Sequence, residues 1–149
     1  MALNWSNAIN ADSQAALLTI AIHEDNHNKR DALYSIIGIL SNASNAYMYA
    51  IEANTLAIDA LNKTIIAKKT RNTISILIAK QYIEKTFKII DIANQYLNKS
   101  IRDLNISYMK YIVLFPTYID AQKKIKASMC MINETLPMIN IAHIAILSI

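Results

Sequence analysis

The sequence predicts an all-α fold: an antiparallel four- to five-helix bundle, built around two long central helices and occupying residues 1–149 as a single domain. Three observations lead there. Gly38 is the only glycine in 149 residues, and Pro116 and Pro137 are the only prolines, so few positions suit a tight turn. A β-rich fold needs turn chemistry that this composition lacks, and a glycine-rich phosphate loop is excluded for the same reason. Finally, apolar residues recur every seven positions over long stretches, the signature of helices packed along a seam.

The elements follow from local signals. Asp12-Ser13 forms an N-cap for a first helix reaching about Glu24, and the wholly polar stretch Asp25 to Arg30 reads as a junction. From Asp31 a seam runs through Leu33, Leu40, Tyr47, Asn54 and Leu61, interleaved with Ile36, Ser44, Ile51, Ile58 and Ile65. The Ser-Asn run at residues 41–45, just after Gly38, is where this helix is expected to bend or break. Thr70-Arg71-Asn72-Thr73 is the next reversal, with Thr73 as the cap. The second long helix carries Ile76, Ile83, Ile90, Leu97, Leu104 and Tyr111 at a spacing of seven. Small residues follow three positions after the first five of these (Ala79, Thr86, Ala93, Ser100 and Ser107), which lets a neighbour approach closely. Asn98-Lys99-Ser100 is a second point where a helix can break. Phe115-Pro116 ends the segment, because the residue before proline avoids the helical region. A further helix spans about Thr117 to Ile132, and Pro137 opens a short terminal one.

Composition bounds the function. Mean hydropathy is +0.21 and 54% of residues are hydrophobic, an apolar excess that an elongated monomer has difficulty covering and a subunit interface absorbs. Isoleucine occurs 28 times, valine once and asparagine 15 times, the mark of AT-rich coding. Residues 1–60 carry two basic and six acidic side chains, net −4, and residues 61–149 carry thirteen and five, net +8. That asymmetry suits head-to-tail association or contact with a polyanion. The single cysteine, Cys130, excludes an intrachain disulfide framework and reads as a small buried hydrophobe. Residues 1–13 lack the basic and apolar regions of a signal peptide, and no stretch reaches the ~20 apolar residues of a transmembrane segment, so a cytoplasmic location, or a virion, is expected.

Two patterns touch on metal chemistry. His23-Glu24-Asp25-Asn26-His27 resembles the H-E-x-x-H of zincin metalloproteases over five residues, which on a helix presents two imidazoles to zinc. Asp25 and Lys29 depart from that family's pattern, and Glu52 or His143 as a third ligand sits in no recognisable family pattern. Glu24 with His27 also has the Glu-x-x-His spacing of di-iron bundles, but no second copy exists. Neither is adopted: the reading is of no metal, no cofactor, no catalytic residue and no small-molecule substrate.

Lys63, Lys68, Lys69 and Arg71 crowd the central hairpin and form a candidate polyanion-binding site, including non-specific nucleic acid. Lys123, Lys124 and Lys126 make a second basic cluster. Tyr47, Met48 and Tyr49 must face more than one side of their helix, and with Ile141, Ile144 and Leu147 they are the candidate interface. The expected function is a non-catalytic helical structural or interaction protein that self-associates, of the kind found as coat or filament subunits of viruses and mobile elements. A helical modulator that binds a host factor is the alternative. A metal-binding helical-bundle enzyme is third.

Overall fold

The computed structural model describes residues 27–106 and 116–149, and all the regular structure among them is helical. Three helices follow in chain order: α1 (His27–Thr70), α2 (Thr73–Ile106) and α3 (Pro116–Leu147). The all-α class therefore holds, but the described residues form three helices where four to five were expected. The helix expected near residues 12–24 lies outside them. Helix α1 is the hub, packing along most of its length against both α2 and α3, whereas α2 and α3 meet each other over much less of theirs. Its 44 residues span about 66 Å at 1.5 Å each.

Several boundaries differ from the sequence reading. Residues 27–30, read as junction, already belong to α1, and the Ser-Asn run at 41–45 does not interrupt it. Ala43 and Ser44 of that run are buried, so tertiary packing holds a segment whose own propensity is poor. Likewise α2 runs unbroken through Asn98-Lys99-Ser100, where the Ser100 hydroxyl donates to the Ile39 carbonyl of α1 at 3.2 Å. Pro116 opens α3 in its first turn, as proline's fixed φ favours. Pro137 does not start a new helix but sits inside α3. Pro137 and Asn133 both lie on the exposed side of α3, where solvent can replace the helical donor that the Asn133 carbonyl loses.

The α1–α2 reversal takes two residues. Arg71 has a φ of 51°, the left-handed conformation that glycine usually supplies at a helix end. Its amide still donates to the Ala67 carbonyl at 2.8 Å. Asn72, not Thr73, caps α2, its side-chain oxygen accepting from the Ile74 amide at 2.9 Å.

The interior of α1 is the main correction to the expected seam. Leu33, Ile36, Leu40 and Ser44 are buried as anticipated, but Ile58 and Ile65 are about half exposed. Beyond Leu40 the buried stripe is instead Ala43, Ala46, Ala50, Ala53, Ala57, Ala60, Thr64 and Ala67, alternating in steps of three and four. It meets the expected α2 stripe of Ala79, Ile83, Thr86, Ile90, Ala93, Leu97 and Ser100, all buried. In α3 the buried stripe steps four, three, four, four from Thr117 through Ala121, Lys124 and Ser128 to Ile132, with Ile125 buried beside Lys124. The doubled step of four is a stutter, which locally relaxes the supercoil.

Small-to-large change in this seam has no room to relax, so Ala57→Leu is expected to destabilise by about 1–3 kcal/mol in a thermal or denaturant melt. Gly38 behaves oppositely. It is exposed, its φ is not positive, and an added Cβ would meet nothing within 4 Å. Gly38→Ala is therefore expected to stabilise by about 0.5–1 kcal/mol, raising Tm by about 2–4 °C.

Candidate functional site

Helix α3 runs in the same direction as α1: Lys124 lies on Tyr47, and the Asn54 amide donates to the Thr135 hydroxyl at 3.0 Å. Its C-terminal turns consequently share one end of the bundle with the α1–α2 turn, where the His143 ring meets Phe87 of α2 edge-on at 5.6 Å. This end gathers the candidate residues. Lys68, Lys69 and Arg71 are exposed around the turn. Lys63 is half-buried, its Nζ 5.8 Å from the centre of the Tyr82 ring, and so stands apart from the other three. Ile141, Ile144 and Leu147 project from α3 with 59%, 67% and 70% of their surface exposed.

The Tyr47-Met48-Tyr49 part of the candidate interface is half-buried, with both tyrosines engaged inside the chain. Tyr49 stacks on Tyr96 of α2, centroids 5.7 Å apart and planes within 6°. Tyr47 lies under the Lys124 ammonium, 4.4 Å from its ring centre. These contacts tie α2 and α3 to α1. They leave the three α3 residues as the exposed portion of the predicted interface.

The second basic cluster divides between two environments. Lys123 and Lys126 face solvent, but Lys124 falls in the buried stripe of α3 and is fully covered. Desolvation lowers its pKa from the ordinary 10.5 to about 8, because burial penalises the ammonium. The sequence showed three lysines in a row of four without showing that helical phase turns the middle one inward.

Near the opposite end of the bundle, α2 and α3 diverge to leave an apolar groove of about 590 Å³ between Ile101 and Leu104 on one side and Ile119, Ile125 and Met129 on the other, with Lys123 and Lys126 at its rim. Its size is that of a small-molecule pocket, but among the described residues no serine, threonine, cysteine, carboxylate or histidine lines it. Nothing in the sequence reading located it, since it depends on how far α3 stands from α2.

The H-E-x-x-H pentad of residues 23–27 lies outside the residues whose side chains are described. Among the described residues, no group of three or more histidine, cysteine, aspartate or glutamate side chains is placed to hold a metal. Glu84 pairs with Lys88 at 3.5 Å along one exposed face. Cys130 is exposed, contrary to the sequence reading, with its sulfur 3.9 Å from a Glu134 carboxylate oxygen. Buried Ser128 and Ile132 flank it by two positions, which places it on the outer side of α3.

By length and composition, α3 is apolar enough to cross a membrane: its richest 18-residue window has a mean hydropathy of 1.3, with 28% of it buried in the bundle. No protein-family model matches the chain, and neither a curated protein nor a solved structure shows significant similarity to it.

The buried lysine supplies a pH test. The unfolded chain holds this proton more tightly than the folded one, so between about pH 8 and pH 10.5 the unfolded state binds more protons and stability rises with pH. Relative to Lys124→Met, wild-type stability is expected to climb by on the order of 2 kcal/mol from about pH 7 to pH 10, measured by denaturant titration, since one pKa unit corresponds to about 1.4 kcal/mol.

Proposed function

We propose that this is a non-catalytic helical interaction protein that self-associates through the outer face of α3. One observation carries the reading. Helix α3 is an apolar helix that its own bundle covers only in part, with 28% of its most hydrophobic window buried. Large aliphatic side chains left in water on one helix mark an interface, because their transfer out of water drives association. Ile141 and Ile144 lie three positions apart, and so on adjoining parts of one face that a second helix can cover.

The supporting chemistry is what the described surface offers instead of catalysis. The groove between α2 and α3 is apolar and presents only lysines and a glutamine as polar lining. A coat, filament or scaffold subunit of a viral or mobile-element assembly is the setting that such a surface and the AT-rich composition suit. Host-factor binding uses the same kind of apolar face, but Ile141 and Ile144 belong to a protein whose expected excess of apolar surface favours its own copies.

Light scattering coupled to size exclusion tests this. The wild-type chain is expected to run as an oligomer, and Ile141→Glu/Ile144→Glu to shift it to monomer while leaving its helical circular dichroism intact. A wild-type chain that stays strictly monomeric at high concentration overturns the proposal.

A further inference from the structure

The turn between α1 and α2 carries a combination that the proposed self-association does not use. From Leu61 to Tyr82 the chain has five basic residues (Lys63, Lys68, Lys69, Arg71 and Lys80) and no acidic one. Exposed aliphatic side chains stand among these cations: Ile66 one turn before the end of α1, and Ile74 and Leu77 at the start of α2, with 67% of Ile74 in solvent. The adjoining end of α3, from Thr135 onward, has no aspartate, glutamate, lysine or arginine. One end of the bundle is thus cationic and greasy together.

We infer that this end docks peripherally on an anionic lipid bilayer. Lys68, Lys69 and Arg71 meet the headgroups, and Ile66, Ile74 and Leu77 enter the boundary between headgroups and acyl chains. Charge complementarity accounts for the cations, and a bilayer is the anionic surface that also rewards buried aliphatic area. A nucleic acid is favoured less: phosphates gain nothing from Ile74 or Leu77. The nearest described aromatic ring on α2, Tyr82, is half-buried beneath Lys63 rather than free to stack on a base. The docking does not rest on self-association, because it uses the α1–α2 turn and not Ile141 or Ile144.

Co-sedimentation of the full chain with phosphatidylserine-containing vesicles, and with vesicles of phosphatidylcholine alone, tests the inference. Binding is expected to the anionic vesicles only and to weaken with salt, as headgroup contact at a Debye length requires. Lys68→Glu/Lys69→Glu, which leaves the turn residue Arg71 in place, is expected to reduce binding at least tenfold, each cation near the surface being worth about fivefold. Ile74→Ser/Leu77→Ser is expected to lose binding comparably. All four positions are exposed, and circular dichroism confirms folding of each variant. An Ile141→Ser/Ile144→Ser variant, which removes the α3 aliphatics without adding charge, is expected to bind still, which separates this result from the oligomer test. Three results overturn the inference: equal binding to neutral vesicles, no binding to anionic vesicles at low salt, or unchanged binding by Ile74→Ser/Leu77→Ser. Tight single-stranded DNA binding by the wild-type chain, with no binding to anionic vesicles, assigns the cations to nucleic acid instead.

Discussion

The alanine seam of α1 is the constraint from which the rest of the structure follows. From Ala43 to Ala67 the buried positions of the hub helix carry only alanine, serine and threonine, with the larger Tyr47, Tyr49 and Asn54 contacting the neighbours from its edges. Short side chains let helix axes approach closely, and the isoleucines of α2 and α3 then fill the space that α1 leaves. Alanine also loses no side-chain entropy on burial and has the highest helix propensity. The result is a long helix that needs little from any one contact. At its other end the same helix uses Leu33, Ile36, Ile39 and Leu40, packed with Ala121 of α3. Larger side chains hold helices further apart, which fits the opening of the α2–α3 groove toward that end.

A seam of alanines has a consequence at the surface. Each buries little apolar area, so the chain's abundant isoleucine cannot all be taken inside. Ile58, Ile65 and Ile66 of α1 are about half exposed for this reason, and α3 keeps Ile141 and Ile144 in solvent. The apolar excess visible in the composition is therefore not spread evenly. It collects around the end where the three helices present the turn and the last residues of α3, beside a run of cations with no acid among them. The exposed aliphatic surface at that end is a by-product of how the interior was filled.

Four of the buried hydroxyls are satisfied locally, while those of Ser44 and Thr117 have no hydrogen-bond partner among the described residues. Thr64, Thr86, Ser128 and Thr135 each donate to the carbonyl one turn earlier, at 2.7–2.8 Å. Such bonds let hydroxyl residues occupy seam positions that need small volume without leaving a donor unsatisfied. Two longer-range bonds, Ser100 to Ile39 and Asn54 to Thr135, set the register of α2 and α3 on α1. Lys124 is different in kind: a charged group at a buried position, placed over the Tyr47 ring, which is costly to desolvate and so makes the packing of α3 sensitive to protonation.

The sequence by itself determined the helical class, the reversal near residues 70–73, the start of α3 at Pro116 and the α2 seam. The scarcity of glycine and proline and the strict spacing of Ile83, Ile90 and Leu97 depend on nothing beyond local backbone preference and periodicity. It also displayed the cations of the turn and the exposed aliphatics of α3. It misjudged the α1 seam, because isoleucine and leucine stand out in a hydrophobic pattern and alanine does not, although close packing selects the smaller residue. The tertiary structure alone decided that the Ser-Asn run and Pro137 stay helical, since burial on one face and solvation on the other offset weak local propensity. It alone turned Lys124 inward and Cys130 outward, because phase around a helix is set by what the helix packs against. And only tertiary packing showed that the outer face of α3, with Ile141 and Ile144, remains uncovered: a helix's own pattern gives its apolar faces, not which of them its neighbours reach.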